Sequence, residues 1–153
     1  MLPIKPKALK DCRVLLIEDE RIVREIIMRF LNGLGIKNVD DFSSAESGWE
    51  ALVTKGKPFD VILLDLNLPG ASGQTFMKKL REIPHPMAKT IPIIVLTGEN
   101  NPNTYKQVEP YGLSSYLIKP VSQDVLKRAL EKALSGHVAR TTPTPSAIIH
   151  EKY

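Results

Sequence analysis

The sequence predicts a doubly wound α/β domain, five parallel strands each followed by a helix in a (βα)5 chain. Three observations predict it. Five short aliphatic runs recur along the chain, apolar positions at helical spacing follow them, and Gly and Pro punctuate the junctions. Nearly unbroken aliphatic runs suit strands covered on both faces, as in a parallel sheet. Right-handed crossovers then place helices on both sides of that sheet.

Arg13-Val-Leu-Leu-Ile17 is the first strand. Ile22, Val23, Ile26, Ile27, Phe30, Leu31 and Leu34 then draw one apolar helix stripe, with Gly33 and Gly35 near its end. Val39–Phe42 is the second strand. Ser43 and Glu46 have capping-box spacing before a helix through Trp49, Leu52 and Val53, which Gly56 and Pro58 close. Val61-Ile-Leu-Leu64 is the third strand and runs into Asp65. Leu66 to Gly73 reads as a loop, before a helix through Phe76, Met77 and Leu80. Pro84 and Pro86 interrupt the next connection. Ile91–Leu96 is the fourth strand, with Pro92 tolerated at its start. A short helix spans Asn103–Glu109, ended by Pro110 and Gly112, with Tyr105 and Lys106 read as solvated. Tyr116-Leu-Ile118 is the fifth strand, and Ser122 caps a last helix carrying Val125, Leu126, Ala129, Leu130 and Ala133.

A chain of 153 residues suits one domain at the usual ~100–200 residues each. Its 42% hydrophobic content excludes a disordered chain. No apolar run approaches the ~18 residues of a membrane span, and Met1-Leu-Pro-Ile-Lys-Pro has no signal-peptide core. A cytoplasmic protein with no membrane partner is the expectation. Cys12 is the single cysteine, which excludes an internal disulfide. The net charge of +4 lies in the flanks: Lys5, Lys7 and Lys10 before the body, and Arg140 and Lys152 against Glu151 after it. The body is neutral, so direct nucleic-acid binding is not expected. The expected division is a basic N-terminal extension over 1–10, a globular domain over 11–135, and a tail or start of a linker over 136–153. Thr141-Thr-Pro-Thr-Pro-Ser146 gives that tail its composition.

In an open α/β sheet the ligand site lies outside the carboxyl ends of the strands. Those ends carry Glu18 and Asp19 after strand one, Asp65 after strand three, Thr97 after strand four and Lys119 after strand five. Clustered carboxylates raise one another's pKa unless a cation intervenes. Hard oxygen ligands of this kind describe a magnesium site. Magnesium, an ammonium and a hydroxyl are also what an incoming phosphoryl group needs. A central carboxylate can serve as the nucleophile and become an acyl phosphate.

Val14-Leu-Leu-Ile-Glu-Asp-Glu20, Leu64-Asp-Leu-Asn-Leu-Pro-Gly70, Leu96-Thr97 and Ile118-Lys-Pro120 resemble the receiver domain of two-component response regulators, the CheY-like fold, over residues 11–135. The resemblance implies a flavodoxin-like strand order 2-1-3-4-5. It implies that Asp65 is the phosphoacceptor, taking phosphate from the phosphohistidine of a sensor kinase or a histidine phosphotransfer protein. Asp19, Asp65 and the backbone carbonyl of Asn67 would bind Mg2+ directly, and Glu18 mainly through water. Lys119 would contact a phosphoryl oxygen, with a cis bond to Pro120. Thr97 would bind another oxygen, letting Tyr116 rotate inward. Asn67 and Glu99, two residues beyond Asp65 and Thr97, would modulate dephosphorylation. The output face would be the helix near 103–109, strand five and the last helix, read by an unknown protein target. The protein would be a monomer or a weak phosphorylation-dependent dimer. It would be a switch that supports its own phosphorylation and dephosphorylation, not a classical enzyme.

Two other readings compete. The chain is a fragment of a longer regulator if residues 135–153 begin an interdomain linker; about 19 residues after Leu134 are otherwise too few for an output domain. An aspartyl-phosphate phosphatase of the haloacid dehalogenase type would need Asp-x-Asp after its first strand. This chain has Asp65-Leu-Asn67 after its third. His85, His137 and His150 lack ligand spacing, and no phosphate-cradling Gly-rich loop is present.

Overall fold

All five aliphatic runs become strands in the computed structural model, which describes residues 7–135. They are β1 (Arg13–Ile17), β2 (Asn38–Phe42), β3 (Val61–Asp65), β4 (Ile93–Thr97) and β5 (Ser115–Ile118). They form one sheet in the order β2-β1-β3-β4-β5, and every pairing is parallel. Six α-helices connect and flank them: α1 (Arg21–Gly33), α2 (Ala45–Trp49), α3 (Gly73–Glu82), α4 (Pro86–Thr90), α5 (Pro102–Val108) and α6 (Gln123–Ala133).

Successive strand residues point to opposite faces, and both faces are covered. Leu15, Ile17, Ile62, Leu64, Ile93 and Val95 pack with Leu52, Phe76, Met77, Leu80, Ala88 and Val108, on the side of α2 to α5. Val14, Leu16, Val61, Leu63, Ile94 and Leu96 pack with Ile27, Leu31, Leu126 and Leu130, from α1 and α6. Double coverage explains why β3 and β4 are buried along their whole length. β2, at the edge, is only half-buried, which matches its sequence Asn-Val-Asp-Asp-Phe.

Several expectations are corrected. The cap of α2 is Ser44, not Ser43: Ser44 has extended backbone and its hydroxyl accepts from the Ser47 N–H. Glu46 therefore does not complete a capping box, and it serves a different bond described below. Beyond Trp49 the helix widens into π turns over Glu50–Thr54. The stripe on α1 is wider than its contact with the sheet: Ile27 and Leu31 are buried, whereas Ile22 and Ile26 are 72% and 43% exposed. The fourth strand starts at Ile93. The connection at Pro84 and Pro86 holds α4, with Pro86 in the first turn and the His85 ring accepting from the Met87 N–H. Tyr105 is buried, not solvated, because α5 turns it onto Tyr116. The basic N-terminal extension is not free up to residue 10. Leu9–Asp11 form a 3-10 turn, Leu9 packs on the core, and Lys7 pairs with Asp60 at 3.1 Å. The expected tail or linker, 136–153, lies outside the described residues.

Arg81, near the end of α3, ties this part of the fold together. Its guanidinium donates to the carbonyls of Tyr111, Ala88, Ile91 and Gly112 at 2.8 to 3.0 Å. Burial lowers its pKa to about 10, so it stays charged at neutral pH. No carboxylate pairs with it among the described residues. Four carbonyls share one planar fork, a geometry an ammonium cannot reproduce. Arg81→Ala is expected to cost about 2–4 kcal/mol, measured by urea unfolding, with Arg81→Lys recovering only a minor part. An unchanged unfolding midpoint for Arg81→Ala would remove this role.

Among the described residues, no helix is long and apolar enough to cross a membrane.

Candidate functional site

The carboxyl ends of β1, β3, β4 and β5 meet because the strands are parallel and in register. Leu64 pairs with Ile17 and Val95, and Thr97 pairs with Ile118. Each strand then delivers its terminal polar residue to one edge. Glu18 extends β1, its N–H donating to the Phe42 carbonyl at 3.0 Å. Glu18, Asp65 and Thr97 are all buried, at 0%, 1% and 0% exposure.

Glu18, Asp19 and Asp65 each offer a carboxylate oxygen within 4.8 Å of the others. Lys119 lies against them, its Nζ 2.7 Å from Glu18 Oε1 and 3.3 Å from Asp65 Oδ2. Glu18 Oε1 takes this as an ion-pair contact without hydrogen-bond geometry; its Oε2 accepts from the Glu20 N–H. Burial pushes the Asp65 pKa up from its ordinary value to about 7. The Asn67 N–H opposes this, Glu18 adds to the rise, Lys119 opposes, and Asp19 adds a smaller rise. Burial works to lower the Lys119 pKa, but the contacts with Glu18 and Asp65 prevail and raise it. One ammonium thus faces three carboxylates. A compact hard divalent cation fits such a donor set, since it relieves the repulsion that one lysine leaves.

The loops place the remaining expected residues. Asn67 donates its N–H to Asp65 Oδ1 at 3.0 Å, which holds the carboxylate orientation. Thr97 Oγ1 accepts from the Glu99 N–H at 3.0 Å, and the Thr97 carbonyl accepts from the Lys119 N–H at 2.8 Å. The Lys119–Pro120 peptide is cis, as expected. The Asn67 and Glu99 side chains stand exposed beside the cluster. Tyr116 is already buried, its ring edge-on to Tyr105 with centroids 5.4 Å apart. Its hydroxyl makes no hydrogen bond of normal geometry. Burial and then the Glu99 charge raise its pKa to about 12, with the Thr97 hydroxyl pulling the other way.

Sequence reasoning missed three supports of this site. Arg24 donates to the Glu18 carbonyl at 2.8 Å and pairs with Asp41 at 3.2 Å, bracing the β1–α1 loop. Glu46 Oε2 accepts from the Ala71 N–H at 3.3 Å and tethers the β3–α3 loop to α2. Neither pairing has a local spacing signal, because the partners are brought together by the crossovers. Gly73 had a signal in its missing side chain: a Cβ there would sit 2.4 Å from the Asp65 carbonyl oxygen and 2.8 Å from Leu66 Cα. Gly73→Ala must therefore displace the backbone that carries the carboxylate. It is expected to cost about 1–3 kcal/mol, read by urea unfolding. An unchanged unfolding midpoint would show that the backbone yields elsewhere.

Residues 14–131 match the response regulator receiver domain family. The chain is 36% identical over 119 residues to a probable C4-dicarboxylate response regulator of Halalkalibacterium halodurans, covering 77% of this chain and 49% of that protein. It is 33% identical over 124 residues to a chemotaxis protein CheY homolog of Campylobacter jejuni, covering 80% of this chain and 92% of that one. The chain therefore spans about half the length of the first relative and nearly all of the second. Among solved structures it superposes on the chemotaxis protein CheY4 of Vibrio cholerae with a TM-score of 0.72 at 26% identity, covering 80% of this chain and 98% of that one.

Proposed function

Because the chain belongs to the response regulator receiver domain family of two-component signalling, we propose that Asp65 is its phosphoacceptor and that Mg2+ is held by Asp19, Asp65 and the Asn67 carbonyl, with Glu18 acting mainly through water. The observation that carries this is the burial of Asp65 between two carboxylates and one lysine, at the sheet edge where β1, β3, β4 and β5 end. Bound magnesium supplies charge neutralisation and a Lewis-acidic contact for a phosphoryl oxygen.

The chain's own residues do the rest. The Asn67 N–H occupies Asp65 Oδ1 and fixes the plane of the carboxylate. An oxygen of that carboxylate forms a bond to phosphorus while the bond from phosphorus to the donor imidazole nitrogen breaks. The imidazole leaves with that electron pair and takes a proton from solvent. Lys119 is placed to neutralise charge on the phosphoryl oxygens, and Thr97 to donate its hydroxyl to another. Thr97 can donate in this way while its Oγ1 still accepts from the Glu99 N–H, because a hydroxyl donates and accepts independently. Tyr116 lies on β5, which pairs with the strand that carries Thr97, and its ring meets Tyr105, so the face of α5, β5 and α6 is the proposed output surface for a protein target. Asn67 and Glu99, exposed beside the cluster, would set water access during dephosphorylation.

The partner is proposed to be a sensor histidine kinase or a histidine phosphotransfer protein, and the setting cytoplasmic. The protein itself would be a monomer or a weak phosphorylation-dependent dimer, a switch supporting its own phosphorylation and dephosphorylation. The domain is proposed to span 11–135. Incubation with acetyl phosphate tests the chemistry: wild type with Mg2+ should gain one base-labile phosphoryl group, and EDTA should prevent it. Equal labelling in EDTA would overturn the metal role.

Ile22 and Ile26 stand exposed on α1, which begins three residues after Glu18 and directly follows the acidic loop. A helical histidine-bearing partner would cover them. Ile26→Arg should reduce phosphotransfer from such a protein about tenfold or more while leaving acetyl phosphate labelling unchanged. Equal loss in both assays would mean that the substitution disturbs the site itself.

A further inference from the structure

A cavity of about 190 Å³ opens between α2 and α3, lined by Ala45, Glu46, Trp49, Ala71, Thr75, Phe76 and Lys79. Its walls are mainly apolar, and Trp49 and Phe76 meet there edge-to-face with centroids 5.6 Å apart. An apolar cavity of ~150 Å³ accepts one benzene ring, so this one has room for a single ring and a short chain. The polar groups at its mouth differ in what they can do. Glu46 is exposed and uses Oε2 to accept one 3.3 Å bond from the Ala71 N–H. Lys79 can lay its methylene stem along the wall and keep its ammonium in water.

We propose that this cavity binds a small aromatic amine, its ring against Trp49 and Phe76 and its ammonium on the Glu46 carboxylate, and that occupation loosens the β3–α3 loop. The coupling has a short path. The ammonium draws the Glu46 carboxylate toward the cavity and so away from the Ala71 N–H that its Oε2 holds at 3.3 Å. Ala71 precedes Ser72, the cap of α3, and Gly73, where a Cβ would sit 2.4 Å from the Asp65 carbonyl oxygen. The same loop carries Asn67, the N–H partner of Asp65. The binding part stands on the cavity alone; the coupling rests on Asp65 being the phosphoacceptor. Coupling between two sites is reciprocal, so a ligand on Asp65 should weaken the amine by the same factor.

Trp49 is the single tryptophan and reports from the cavity wall. Phenethylamine is the probe, and phenylacetate, close in size and opposite in charge, is its control. Phenethylamine should change Trp49 fluorescence saturably, with half-saturation on the order of 1 mM, and phenylacetate should not. Glu46→Gln should weaken phenethylamine tenfold or more. At saturation, Asp65 labelling by acetyl phosphate should slow several-fold, and phenethylamine and beryllofluoride should each raise the other's half-saturation concentration by the same factor. Stronger binding of phenylacetate would assign the polar role to Lys79 and overturn the proposal, as would a non-saturable response. Saturable binding with an unchanged labelling rate would overturn the coupling. If the protein is not labelled even without amine, the phosphoacceptor reading fails, while the fluorescence comparison still decides the cavity.

Discussion

Asp65→Asn is expected to abolish labelling by acetyl phosphate while leaving the fold intact. An amide oxygen can still accept from the Asn67 N–H, and Lys119 keeps its 2.7 Å contact with Glu18. On the proposed reading, what is lost is the anionic nucleophile at the end of β3. The variant also tests the electrostatics. In metal-free buffer the folded state holds the Asp65 proton up to about pH 7, well above an ordinary carboxylate. The unfolded chain releases that proton near pH 4, so between about pH 4 and about pH 7 the native state binds more protons than the unfolded one. Wild-type stability should therefore decline as pH rises through that window, and Asp65→Asn should flatten the decline. Chemical unfolding at several pH values in EDTA measures it. Persistent stoichiometric labelling of the Asn variant would falsify the assignment. Identical pH profiles for the two proteins would show that burial does not hold the proton.

Lys119→Ala should have the second large effect, on stability and on chemistry together. It removes the cation facing three carboxylates, two of them almost wholly buried. Breaking a buried pair by deleting one partner costs about 3–5 kcal/mol, because the remaining charge is uncompensated. The raised Lys119 pKa means that the ammonium's contribution is complete at neutral pH and is lost only above its ordinary range. Magnesium binds the same carboxylates on this reading, so Mg2+ should raise the variant's Tm more than that of wild type. Labelling by acetyl phosphate should fall about 100-fold even with saturating Mg2+. A variant as stable as wild type in EDTA would mean that water already screens the cluster.

Other parts of the molecule show how much of this was legible beforehand. The strands were readable because β1, β3 and β4 are covered on both faces, which demands unbroken aliphatic runs. The site followed from them, because in a parallel sheet every strand's last residue reaches the same edge. Glu18, Asp19, Asp65 and Lys119 could therefore be assembled without coordinates. Local details were less legible. Ser43 and Ser44 carry the same chemistry, and the backbone decides which one caps α2. Tyr105 looks solvated in a polar stretch, but its place on α5 sets it against Tyr116. Ile22 and Ile26 continue an apolar stripe that the sheet does not reach.

By itself the sequence determined the five strands, most of the helices between them and the polar residue at each strand end. These rest on short-range rules, the period of apolar residues and the punctuation by Gly and Pro; the strand order 2-1-3-4-5 is what the resemblance to receiver domains implied. Tertiary structure alone decided which groups hold that site in place. Arg24 on Glu18 and Asp41, Glu46 on the Ala71 N–H and Gly73 against Asp65 are distant or backbone contacts. Hydrogen bonds to backbone carbonyls and N–H groups leave no trace in the identity of the partner residue, since every residue supplies the same carbonyl. Only the folded chain shows which of these groups a side chain meets.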